Sequence, residues 1–283
     1  MVLDTGSELS WLHCQKTPAT PLYYDPLHST SYTPVPCNSP ICMTQTRDFT
    51  IPASCDPKKL CHATLSYADA TSVDGNLASD IFRFTDSNLP GVIFGCMDMD
   101  SSSNENEDSL TTGLIGMNRG SLSFVTQMGY PKFSYCITGQ DSTGVLLFGE
   151  FNLTWPRPLS YTPMVKMSTP LPYFDRGVMD LCYRVERSRV GLPVLPSVSM
   201  MFRGSEMIVS GQKLLFKVAG MTRGSDDIHC FTFANSDLLG IEAYVIGHHH
   251  QQDMWMEFDL ANNRVGFAEV RCDSASQKLG IDL

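Results

Sequence analysis

A chain of 283 residues with 42% apolar side chains carries enough hydrophobic material for one large domain or two lobes of ordinary size. Its net charge of −10 speaks against nucleic acid as the principal partner, because a polyanion would be repelled. No run of about 18 apolar residues occurs, so no membrane-spanning helix is expected.

The chain enters structure at once. Leu3-Asp4-Thr5-Gly6-Ser7-Glu8-Leu9, closed by Ser10-Trp11, reads as an apolar strand running into a tight turn that carries a carboxylate. A strand end aims Asp4 into a cleft, and Gly6 allows a backbone conformation that a Cβ would obstruct. The hydroxyls of Thr5 and Ser7 can bond nearby main chain and fix the carboxylate's orientation. Residues 17–40, rich in Pro, Ser, Thr and Tyr, read as a surface loop. Cys37, Cys42, Cys55 and Cys61 then lie close together. Four thiolates could hold zinc, but structural zinc sites use tighter C-x2-C spacings, so two local disulfides are preferred.

His62 to Tyr67 alternates as a strand, residues 68–75 read as a turn, and Leu77 to Phe84 returns, which makes a β-hairpin. Val92 to Cys96 reads as a short buried strand. The acidic, Ser/Asn-rich run 98–108 reads as a solvated loop rather than a calcium site. Gly113-Leu114-Ile115-Gly116 follows, with a short helix over 121–128. Strands over 133–137 and 145–149 are joined by a hairpin turn at Asp141-Ser142-Thr143-Gly144. Asn152-Leu153-Thr154 is a glycosylation sequon. His248-His249-His250 invites a metal reading, but three consecutive residues on a strand cannot face one way, so no metal site is expected. There is no G-x-S-x-G, H-E-x-x-H or Walker loop.

Ten cysteines, at 14, 37, 42, 55, 61, 96, 136, 182, 230 and 272, point to an oxidising compartment and disulfides. Met1-Val2-Leu3 nevertheless leads straight into the first strand, with no basic n-region or apolar h-region of a signal peptide. Either the sequence starts at an internal Met of a longer secreted precursor, the preferred reading, or the chain reaches the cytosol and its bridges do not form.

The turn Asp4-Thr5-Gly6-Ser7 with Trp11, the hairpin Tyr67, Leu114-Ile115-Gly116, the cysteine layout and the closing stretches Gln251–Leu260 and Arg264–Ala268 occur in one order. In that order they resemble the pepsin-like aspartic peptidases, in their plant nepenthesin-like branch. Tyr23-Tyr24-Asp25-Pro26 and Ser29-Thr30-Ser31-Tyr32 are similar to an element of the plant members. The resemblance implies an all-β, bilobal fold whose cleft binds an extended peptide or protein substrate. Residues 1–160 would form the first lobe, with the Asp turn, a cysteine-rich insertion and a flap, and 161–283 the second. Asp4 would activate a water that attacks the scissile carbonyl, with Thr5, Gly6 and Ser7 supporting its turn. Tyr67 would lean from the flap over the substrate and bond Trp11, and Leu114-Ile115-Gly116 would cross behind the turn. No metal or organic cofactor would take part. The resemblance further implies a monomer, a secretory destination (extracellular, endomembrane or vacuolar), and the pairs Cys14–Cys96, Cys37–Cys61, Cys42–Cys55, Cys136–Cys272 and Cys182–Cys230.

The family needs two such turns, one carboxylate ionised as general base and the other protonated as acid. Leu238–Ile241 and Tyr244–Gly247 resemble its closing strands, so Val245-Ile246-Gly247 should back a second turn. No second D-T-G or D-S-G occurs anywhere. The one candidate is Phe174-Asp175-Arg176-Gly177, which lies too close to Gly247 and puts a bulky cation where a hydroxyl belongs. Asp175 is therefore not expected to be catalytic. Residues 176–177 read instead as a seam from which several dozen residues, the second turn among them, are missing. The expectation is an aspartic endopeptidase by descent, with a nearly complete first lobe and a truncated second one, inactive as written. Alternatives are a non-catalytic, inhibitor-like binding protein on the same fold and, less favoured, a homodimer offering two copies of Asp4.

Overall fold

The run ending in Leu77 to Phe84 and the apolar run around Phe94 build the central hairpin of a sheet. In the computed structural model its arms are β6 (Ser72–Phe84) and β7 (Ser87–Met99), each 13 residues long. They are preceded by β1 (Val2–Asp4), β2 (Trp11–His13), β3 (Thr33–Pro34), β4 (Ser54–Cys55) and β5 (Cys61–Ser66), and followed by β8 (Gly113–Gly116). The structure describes all residues except 17–21, 48, 50, 68–71, 85–86, 100–110, 139–143, 152–157, 165–181, 187–194, 224–225, 235–243, 276–278 and 280–283. The described residues fall into two compact units, one within Met1–Tyr130 and the other within Pro131–Ser168 and Arg176–Leu283.

The first unit is one sheet in the order β1-β8-β2-β7-β6-β5-β4, with β3 paired to β6. Alternation puts Leu77, Val73 and Ala63 on its buried face, where Leu9, Met97 and Leu122 join them. The turn expected over 68–75 is shorter: Ser72 to Gly75 are strand, paired with Ser66 to Ala63. Asp74 and Gly75 look like turn residues, but a Cβ at Gly75 would lie 2.2 Å from the Cys96 carbonyl oxygen. Glycine is there because two backbones meet, not because the chain bends. The strand expected over 92–96 is likewise longer, because Ser87 to Leu89 pair back onto Phe84 to Phe82. The helix expected over 121–128 is confined to α1 (Phe124–Met128), with the Ser123 hydroxyl as N-cap and Gly129 in the left-handed region at φ 69° as its stop.

A buried carboxylate ties the surface loop to this sheet. Asp80 on β6 accepts the Tyr24 hydroxyl, the Ser31 hydroxyl and, at 2.6 Å, the Ile81 amide. Burial alone would raise its pKa. The hydroxyls and the amide outweigh that and hold it down at about 2, while burial and the Asp80 charge push Tyr24 up to about 12.

The second unit holds the five-stranded sheet β10-β9-β17-β18-β11, which combines β9 (Lys132–Cys136), β10 (Val145–Phe148) and β11 (Ser160–Pro163) with β17 (Met254–Asp259) and β18 (Arg264–Glu269). Phe133 stacks on Phe258 at 4.7 Å, and Trp255 is fully buried beside the Cys136–Cys272 disulfide. Beside it stand the sheet β12-β16-β15, from β12 (Cys182–Glu186), β15 (Leu215–Arg223) and β16 (Asp226–Phe231), and the hairpin of β13 (Val198–Phe202) with β14 (Ser205–Val209).

Three expectations are corrected here. The His run is not strand but a short helix, α2 (His248–Gln251); His249 Nε2 donates to the Lys213 carbonyl at 3.1 Å and His250 Nε2 meets Thr232 Oγ1 at 2.9 Å. Tyr244 to Gly247 form no strand, and Tyr244 and Val245 are 93% and 71% exposed. The cysteine-rich segment pairs Cys37 with Cys55 and Cys42 with Cys61, not Cys37–Cys61 and Cys42–Cys55. Burial sorts them: Cys42 and Cys61 both sit in the core, whereas Cys55 is exposed. The other three pairs, Cys14–Cys96, Cys136–Cys272 and Cys182–Cys230, are as expected. Asn152, Asp175 and the seam at 176–177 lie outside the described residues.

Candidate active site

Asp4 ends β1, which runs parallel to β8 with Asp4 opposite Gly116. The chain then reverses over the six residues Thr5 to Ser10 and returns as β2, antiparallel to the same β8. One short strand is thereby clasped from both sides. Its two glycines are required: a Cβ at Gly113 would lie 2.0 Å from the Trp11 carbonyl oxygen, and one at Gly116 would lie 2.3 Å from that of Glu8.

A series of bonds fixes the turn. The Gly6 amide donates to Asp4 Oδ1 at 2.8 Å, which orients the carboxylate. The Met117 amide donates to the Asp4 carbonyl at 2.8 Å and the Asn118 amide to the Ser7 carbonyl at 3.0 Å. Fully buried Ser10 accepts the Gly116 amide on its hydroxyl at 3.1 Å and the Gly95 amide on its carbonyl at 2.8 Å. The Ser7 hydroxyl, expected to brace the carboxylate, is buried and makes no hydrogen bond among the described residues. Among those residues the Asp4 carboxylate has one hydrogen-bond partner, the Gly6 amide.

Tyr67 follows β5 at the tip of the hairpin with β6, and the Trp11 indole N–H donates to its hydroxyl at 2.6 Å. Trp11 also meets His13 edge-on at 5.0 Å. A buried indole N–H needs an acceptor, and the phenol supplies it. Asp4, Trp11 and Tyr67 are thus carried by one sheet of the first unit.

Sequence inspection passed over several contributors. Ser10 looks like an ordinary strand residue, and only its buried hydroxyl reveals its work. Gln127 receives the Ile93 amide at 2.7 Å and donates to the Ile93 and Leu122 carbonyls at 2.9 and 2.8 Å, filling bonding positions of Ile93 that no strand takes among the described residues. No sequence pattern marks such a side chain. Among the described residues no group of three or more His, Cys, Asp or Glu side chains could hold a metal ion, and no helix is long and apolar enough to cross a membrane.

Comparison with known proteins agrees with this geometry. The model of the xylanase inhibitor N-terminal family matches residues 1–150, and that of the xylanase inhibitor C-terminal family matches 167–269. The chain is 48% identical to aspartic proteinase PCS1 of Arabidopsis thaliana, covering 99% of this chain and 80% of that protein. That alignment runs over 364 residues, longer than the 283 of the whole chain. Aspartic proteinase nepenthesin-2 of Nepenthes gracilis is 23% identical over 345 residues, covering 97% of this chain and 75% of that protein. Among solved structures, basic 7S globulin from soybean superposes with a TM-score of 0.65 at 16% identity, covering 96% of this chain and 87% of that one, and so shares the fold.

Proposed function

The chain belongs to the plant nepenthesin-like branch of the pepsin-type aspartic proteases, and from that premise we propose that it descends from an endopeptidase whose water-activating carboxylate is Asp4 and that it is inert as written. The observation that carries the proposal is the single Asp-Thr-Gly-Ser turn, backed by Gly116, in a sequence with no second Asp-Thr/Ser-Gly. In this chemistry one carboxylate takes a proton from the attacking water while a second, protonated one assists the carbonyl oxygen. Asp4 can perform the first task, and the sequence offers no second Asp-Thr/Ser-Gly turn for the other. Loss of general-acid assistance alone is worth ~10²–10⁴-fold in rate.

Two further observations support a missing segment. The alignments with PCS1 and nepenthesin-2 both exceed the length of this chain, so each relative has residues within the aligned span that have no counterpart here. Tyr244 and Val245, apolar residues of the stretch that should back a second turn, are exposed, as a strand without its neighbour would be. On this proposal the second lobe is truncated, and Asp175 takes no part.

The substrate class is an extended peptide or protein lying under Tyr67, with Trp11 holding that side chain in place. The protein acts as a monomer, in keeping with a flap and insertion carried on a single chain. Its relatives point to a family of the secretory pathway, and five disulfides suit that destination. The non-catalytic, inhibitor-like alternative draws on the xylanase inhibitor names of the two matching family models, but relatives that align over nearly the whole chain are aspartic proteinases, and it is not favoured. The test is proteolysis of a denatured protein at acidic pH, with and without pepstatin; pepstatin-sensitive turnover would overturn the proposal.

A further inference from the structure

Glu8 follows the Asp4 turn directly, and neither the motif nor the resemblance gives it a task. Its side chain is half-buried and its carboxylate is bonded to the chain near Leu122. Oε1 accepts the Leu122 amide at 2.8 Å and the Ser121 hydroxyl at 3.4 Å. The seat for that carboxylate is kept open by a missing side chain: a Cβ at Gly120 would lie 2.1 Å from Glu8 Cδ and 2.3 Å from Oε2. The next residue along on one side, Leu9, and the acceptor's partner Leu122 are both 1% exposed, so the two strands of chain that Glu8 joins are anchored in the same core.

We propose that Glu8 is a positioning residue for Asp4. Residues 116–122 lie along the turn through successive bonds: Gly116 N–H to Ser10 Oγ, Met117 N–H to the Asp4 carbonyl, Asn118 N–H to the Ser7 carbonyl, and finally Leu122 N–H to Glu8 Oε1. The first three hold one end of the segment. The Glu8 carboxylate holds the other, through a charge-assisted bond of about twice the strength of a neutral one. Asp4 therefore sits where it does because the segment behind it is pinned at both ends. The catalytic meaning of this latch rests on Asp4 being the water-activating group; the latch itself does not.

Native-state hydrogen exchange at the Met117 and Asn118 amides, which bond the Asp4 and Ser7 carbonyls, reads the latch without needing turnover. Glu8→Ala should speed both amides about tenfold, and Glu8→Gln, which keeps an acceptor oxygen, should leave them within about twofold of the parent. Gly120→Ala should act like Glu8→Ala, since its new Cβ evicts the carboxylate, and adding it to Glu8→Ala should change nothing more. The amides of Leu77 and Phe94, in the core of the same unit, should not move. Unchanged Met117 and Asn118 in Glu8→Ala, equal loss in Glu8→Gln, or parallel acceleration of Leu77 and Phe94 would each overturn the assignment. An inert protein can pass this test, so failure of the latch is distinguishable from failure of the peptidase proposal.

Discussion

The Trp11 indole N–H donates to the Tyr67 hydroxyl at 2.6 Å, joining positions 56 residues apart in sequence. The bond spans the sheet from β2, which leaves the Asp4 turn, to the tip of the β5–β6 hairpin. It fixes Tyr67, which follows β5, to a buried residue of the core.

Tyr67→Phe removes the acceptor and leaves the indole N–H of a residue only 8% exposed without it. The expected loss is about 1–3 kcal/mol in urea denaturation of the protein. Trp11→Phe combined with Tyr67→Phe should cost less than the two single losses added together, by about 1 kcal/mol, if the bond is what couples them. Strict additivity would show that each ring contributes through packing alone.

Asp80 makes stability depend on acid in a defined direction. Its folded pKa is depressed from the ordinary 3.8 to about 2, so its contribution is complete above 3.8 and is lost as pH falls toward about 2. The contribution is on the order of 2 kcal/mol. Thermal midpoints taken through that window should fall for the parent and change less for Asp80→Asn. Equal slopes would remove Asp80 from the account of acid behaviour.

Gln127 satisfies both the amide and the carbonyl of Ile93 from its side chain. Gln127→Leu leaves the Ile93 amide and the Ile93 and Leu122 carbonyls without these partners, and should lower stability by about 1–3 kcal/mol. Gln127→Glu should be worse at neutral pH, because it keeps the acceptor but turns a donor into a charge facing two carbonyl oxygens. Thermal denaturation of both variants checks the order. A milder effect for Glu than for Leu would contradict it.

The disulfide framework can be read chemically. Mass spectrometry of the unreduced protein, fragmented both between Cys37 and Cys42 and between Cys55 and Cys61, should return Cys37 joined to Cys55 and Cys42 joined to Cys61. Recovery of Cys37–Cys61 and Cys42–Cys55 would restore the pairing that the family resemblance implied.

How far the fold was legible follows from what each signal encodes. Asp4 with its Thr-Gly-Ser, the apolar Leu114-Ile115-Gly116 and the Trp11–Tyr67 pair are written in local motifs, and the register Asp4 to Gly116 joins them as read. Asp74-Gly75 misled because glycine serves close backbone approach as readily as turning, and sequence alone does not tell which. The cysteine pairing was not legible either, since four cysteines within 25 residues can pair in several ways and burial decides among them. The α2 helix escaped notice because its His residues are held by Lys213 and Thr232, partners distant in sequence. Glu8 looked like a motif neighbour, and only the empty space at Gly120 marks its seat.

The central claim is that this chain carries one catalytic carboxylate where the chemistry requires two. Its most direct test is cleavage of a denatured protein at acidic pH by the purified 283-residue chain and its Asp4→Asn variant, each with and without pepstatin. Equal, pepstatin-insensitive background for both proteins is the predicted result. Pepstatin-sensitive turnover by the parent that disappears on Asp4→Asn would contradict it, and would mean that a second acid reaches Asp4 after all.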